Sequence, residues 1–121
     1  MNLYGKKVWL VPDAYYPEQS VSGPYISHEA ICVLNTGDTT AELNLTLYFE
    51  DRDPLCGFRA LCESKRANHI RLDKIRNEQG AGVPKGIPYA ILLKSTQDVV
   101  CQYSRLDTTQ MQMSLMTTMA Y

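Results

Sequence analysis

The side chains best placed to do chemistry are His28 and Glu29, two ionisable groups at the mouth of the apolar run Ala30-Ile31-Cys32-Val33-Leu34. The run leaves no polar face and predicts a strand covered on both sides; Asn35-Thr36-Gly37-Asp38 behind it carries tight-turn residues. Neighbouring side chains of a strand point to opposite faces, so this pair can share one ligand only across a bulge. Otherwise one of the two enters covered space, where an unpaired charge is costly. By themselves the residues favour a strand-edge pair satisfied by backbone groups, because buried polar groups nearly always find a partner.

A second concentration lies between residues 65 and 76, where Lys65, Arg66, His69, Arg71, Lys74 and Arg76 are interrupted by Asp73. A solvated strand face accounts for it. The sharper reading has His69 and Arg71 project from one face and grip an anionic or polyhydroxyl ligand, for which Arg supplies a planar fork of donors. Arg105 and Asp107 flank Leu106 and share one side of an extended strand, with Asp107 orienting Arg105. Trp9, the sole tryptophan, is either a core residue or a platform for a sugar ring. Tyr48, on the polar side of its strand, suits a pocket or a subunit interface. Catalysis finds little support: Ser27 and His28 diverge as strand neighbours, and neither a nucleophile elbow nor paired acids occur. His28 and His69 lack metal-ligand spacing, so neither metal nor cofactor is expected.

These residues need strands to hold them. Leu43, Leu45, Leu47 and Phe49 alternate with Glu42, Asn44, Thr46 and Tyr48, the period-two pattern of a strand with one buried face. Joined through the 35–38 turn to the strand before it, this segment predicts an antiparallel hairpin. A second hairpin is expected from Tyr89 to Lys94 and Val99 to Arg105, turning at Ser95-Thr96-Gln97-Asp98. Lys7 to Val11, Leu55 to Cys62 and Asn68 to Leu72 read as shorter strands, the last with Ile70 and Leu72 on one face and His69 and Arg71 on the other. Asp73 to Pro88, rich in Gly and Pro, reads as a long surface loop, and a turn at Asp107 to Gln110 precedes a final strand. The expectation is an all-β protein, a small antiparallel β-sandwich of about seven to eight strands.

The 121 residues suit a single domain spanning the whole chain. Twelve Lys and Arg against thirteen Asp and Glu, a net charge of −1, argue against a global grip on nucleic acid or membrane. A local DNA-binding patch remains a weak alternative. No apolar run approaches the ~20 residues of a membrane helix, and the chain reads as cytoplasmic. Cys32, Cys56, Cys62 and Cys101 show no CxxC spacing and read as reduced thiols.

Trp9, Ile26-Ser27-His28-Glu29 leading into Ile31-Cys32-Val33-Leu34-Asn35-Thr36-Gly37-Asp38, Arg66 with His69-Ile70-Arg71, Arg105-Leu106-Asp107 and the closing Thr118-Met119-Ala120-Tyr121 form an ordered set. In that order and spacing the chain resembles the Anabaena sensory rhodopsin transducer family along nearly its whole length. The resemblance implies a jelly-roll-like β-sandwich, a homotetramer, and sensing of a small molecule, sugar-like or anionic. It also implies, as alternatives, a protein-interaction transducer for a membrane photoreceptor or a DNA-binding transcriptional regulator. It moves His28 and Glu29 to the head of the ligand-binding candidates, with Trp9, Tyr48, Arg66, His69, Arg71, Arg105 and Asp107 behind them.

Overall fold

The computed structural model describes residues 4–17, 27–108 and 114–121, which form seven strands and no helix. They are β1 (Lys6–Tyr15), β2 (His28–Asn35), β3 (Ala41–Phe49), β4 (Leu55–Cys62), β5 (Arg66–Arg71), β6 (Pro88–Asp107) and β7 (Ser114–Met119). Every pairing is antiparallel. β6, 20 residues long, is the axis of the molecule. Its first half lies between β1 and β3, with β4 outside β3; its second half lies between β7 and β2, with β5 outside β2. The sheet curls along β6 into two facing layers, and the inner sides of both meet in one apolar core.

β3 is the strand its alternation predicts: Leu43, Leu45 and Leu47 are at most 2% exposed, and Glu42, Asn44 and Thr46 face outward. Burying each leucine stabilises the fold by about 1.5–3 kcal/mol. β5 likewise turns Ile70 inward, with Leu72 buried just beyond it, and His69 and Arg71 outward.

Both predicted hairpins are corrected. The Asn35 side chain does make its turn, accepting from the Gly37 N–H at 3.0 Å and donating to Thr39 O and Cys62 O at 2.9 and 3.0 Å. β2 and β3 nevertheless lie in different layers, because β6 and β5 flank β2 while β6 and β4 flank β3. The connection is an arch over the core. Ser95 to Asp98 are not a reversal either; they are the bend at which β6 leaves β3, after Ser95, and joins β2, from Val100. Ser95 Oγ accepts from the Gln97 N–H at 3.2 Å, so the polar residues satisfy a break in the ladder.

β2 is not covered on both sides within one chain. Glu29, Ile31, Val33 and Asn35 face the core, whereas outward-facing Cys32 is half-buried and Leu34 is 46% exposed. The tail strand is present as β7. Asp107 still belongs to β6, and the rest of the turn expected after it lies largely outside the described residues. The 73–88 segment is a surface connection stapled to β4 by Asn77, whose Nδ2 donates to Cys56 O at 3.1 Å.

Candidate functional site

The β2–β6 register runs from His28 opposite Leu106 to Leu34 opposite Val100 without a bulge, so His28 and Glu29 do part to opposite faces. Glu29 is the buried one, at 1% exposure. Its Oε1 accepts from the Tyr89 hydroxyl at 2.6 Å; its Oε2 accepts from the Tyr103 hydroxyl and from the Tyr15 N–H at 2.9 Å. Tyr15 and Tyr89 belong to the β1–β3 layer, Glu29 and Tyr103 to the β2–β7 layer. The carboxylate therefore ties the two layers across the core.

Burial raises the Glu29 pKa, against the opposing pull of the Tyr103 and Tyr89 hydroxyls, the Tyr15 N–H and the charge of Arg105. Burial and the adjacent carboxylate also push both tyrosine hydroxyls up, so they remain donors. Arg105 stands directly across the ladder from Glu29, and its Nη2 lies 4.0 Å from Met116 Sδ. Asp107, two residues on, pairs with Ser114 at the end of the same strand.

His28 opens to the outer face, half-buried. Beside it, Arg71 Nε and Nη2 donate to Asp73 Oδ1 and Oδ2 at 2.8 and 2.9 Å, a bidentate pair in which the Asp73 side chain is 5% exposed. Burial alone would raise the Asp73 carboxyl, but the Arg71 hydrogen bonds and charge, with a smaller share from His28, carry it below its usual value. His69, opposite Cys32, continues the outer face. It borders a shallow apolar groove of about 250 Å³ with Cys32, Leu34, Val100 and Met119.

The remaining candidates are elsewhere. Arg66 pairs with Asn35 at the far end of β5, roughly 16 Å along the strand from Arg71 at about 3.3 Å per residue. Trp9 is a core residue, 9% exposed; its Nε1 donates to Val99 O at 2.8 Å and Lys6 O at 3.0 Å, and Lys6 Nζ sits 4.6 Å over the ring. Tyr48, 43% exposed, lines a groove of about 410 Å³ on the other layer with Asp13, Glu50 and Tyr89. The structure thus joins Glu29 to Arg105 on the inner face and His28 to Arg71 on the outer face. It does not gather the set around one ligand.

Tyr15, Tyr89 and Tyr103 were missed by sequence reasoning. Alternation announces that Glu29 or His28 must find a buried partner, but nothing local selects the Tyr89 and Tyr103 hydroxyls from eight tyrosines, or the backbone N–H of Tyr15. The four cysteines are free. Burial, with Cys62 and Cys32 nearby, pushes the Cys101 thiol up to about 12.

Comparison with known proteins adds what geometry alone does not. Residues 4–121 match the family model described as Anabaena sensory rhodopsin transducer. Among solved structures, the Thermotoga maritima 1070 protein superposes with a TM-score of 0.87 at 39% identity, covering 98% of this chain and 96% of that one. A structure named Anabaena sensory rhodopsin transducer superposes with a TM-score of 0.75 at 30% identity, covering 86% of this chain and 90% of that one. No curated protein gives a significant match.

Proposed function

This chain belongs to the Anabaena sensory rhodopsin transducer family, and on that premise we propose that it is a non-catalytic signalling module that works by protein contact, as a homotetramer that hands a sensory signal to a partner. The observation that carries the reading is the exposure of large apolar side chains on both outer faces of the sandwich. Val8, Leu10 and Leu61 are 45–54% exposed on one layer. Leu34, Leu115 and Met119 are 46–73% exposed on the other. Isolated apolar side chains are ordinary on a surface; Leu34 and Met119, which line one groove with Val100, are grouped, and such grouping marks an interaction site. Two distinct faces, each used about its own two-fold axis, close into a tetramer. Light scattering at micromolar concentration is expected to give about four times the 13.7 kDa of one chain. A monomer mass there overturns the assembly.

A second reading rests on the outer corner of β2 and β5. The Arg71–Asp73 pair beside His28 supports capture of a small anionic or sugar-like ligand, with Arg71 offering its unused donors. A thermal-shift screen of sugars and sugar acids tests it: stabilisation that disappears in Arg71→Ala and His28→Ala supports the site, and a null screen removes it.

A further inference from the structure

The ladders on either side of β2 bring together donor side chains that lie far apart in the sequence. Cys32 stands directly opposite His69 of β5 on one side and Gln102 of β6 on the other, and Gln102 stands opposite Met119 of β7. His69, Cys32, Gln102 and Met119 thus form one row across the sheet, and all of them line the outer groove of about 250 Å³. The row offers an imidazole, a thiol and a thioether. No metal-ligand spacing announces it in the sequence, because each donor comes from a different strand.

We propose that this row is a site for a soft monovalent cation, Cu(I), held by Cys32 Sγ and a ring nitrogen of His69, with Met119 Sδ as a further donor. Side chains directly opposed across antiparallel strands have Cβ atoms about 4.5–5.5 Å apart, a gap that one bound ion bridges. Cys32 and Met119 are two ladder spacings apart, roughly 10 Å. The long, unbranched methionine side chain can lean across Gln102 to close that distance. The site is separate from the Arg71–Asp73 corner and does not depend on the assembly proposed above.

The donor set selects the ion. Thiolate and thioether sulfurs favour Cu(I), and imidazole suits copper as well. A structural Zn²⁺ site is closed by a tetrahedron of Cys, His or carboxylate ligands, and among the described residues no three His, Cys, Asp or Glu side chains gather in that way. Cu(I) is satisfied by fewer donors. The neighbouring row, Ala67, Leu34 and Val100, is apolar and lines the same groove, so it screens one side of the site from water. Arg71, the next outward residue of β5 after His69, has its charge met by Asp73 at 2.8 and 2.9 Å. Cys32 is a free thiol. Binding replaces its S–H bond by an S–Cu bond and releases the proton to solvent; copper stays Cu(I), and no electron moves.

Cu(I) itself, supplied to the full chain without oxygen as its coloured bicinchoninate complex, is the probe. The wild type is expected to withdraw one Cu(I) per chain and bleach the complex accordingly. Cys32→Ser is expected to abolish the withdrawal, and Cys56→Ser, at the exposed cysteine of β4, to leave it intact. His69→Ala and Met119→Leu are each expected to weaken binding roughly tenfold or more, at least what the loss of an outer-shell partner costs a metal site. A wild type that withdraws no Cu(I), a Cys32→Ser variant that binds like the wild type, or unchanged affinity in His69→Ala or Met119→Leu overturns the site. Should Cys32→Ser lose its far-ultraviolet spectrum, alkylation of the wild type by iodoacetamide decides. Bound Cu(I) is expected to protect Cys32 and leave Cys56 reactive; protection of Cys56 alone, or of neither, rejects the proposal.

Discussion

Glu29 is the member of the His28–Glu29 pair that enters covered space, and there it finds partners. Its carboxylate has three donors from two layers, and it is as deeply buried as Leu47 of β3. Replacing Tyr103 by Phe removes one of those donors from a buried acceptor, and the expected loss is about 1–3 kcal/mol in urea unfolding. The pH dependence has a definite sign. A carboxyl whose folded pKa lies above its ordinary 4.5 contributes stability that is complete below that value and is lost as pH rises through the folded pKa. Wild-type stability should therefore carry a component that declines upward from about pH 4.5, and Glu29→Gln should lack it; parallel profiles for the two proteins would show that Glu29 does not titrate in this way. Arg105, opposite Glu29, is a partner of the buried acid as much as a ligand candidate.

At the level of the strand, close backbone approach decides more than propensity. Gly5 has φ +87°, and an added Cβ would clash with Val99 O, the same carbonyl that accepts from Trp9 Nε1. Gly80 has a similar φ of +83° with open space around it. Gly80→Ala should cost about 1–2 kcal/mol, the conformational penalty alone. Gly5→Ala should cost clearly more, and equal denaturation midpoints for the two variants would refute the steric part. β3 and β5 were legible because a one-sided burial pattern is written in alternate residues. The hairpins were not, because turn chemistry at Asn35 or Ser95 reports that the chain bends, while the identity of the neighbouring strand depends on residues far along the chain. The same locality hid Tyr89 and Tyr103 from the reading of Glu29.

For the whole molecule, the proposed contact with other proteins draws on family membership and on the exposed apolar side chains of the β2–β7 layer. Buried Trp9 gives a simple check: its emission should be that of a shielded indole and should stay constant when a small ligand binds at the His28 corner. A shift on binding would place the ligand against the core instead. What the sequence made legible at this scale was the all-β architecture and the family; which faces remain open depends on packing that no local pattern records.

The 20-residue span of β6 also governs how the protein can be made. β1, β2 and β3 all emerge from the ribosome before Pro88, yet each takes β6 as a ladder neighbour. Up to that point only the β3–β4 and β2–β5 pairs can form, each with its apolar side uncovered. Productive folding on the ribosome must wait until the chain has been synthesised through Asp107, and then joins distant segments in one step, the slow regime of high contact order. A chain stalled or cleaved within the 73–88 connection is thus expected to aggregate rather than persist as half a sandwich.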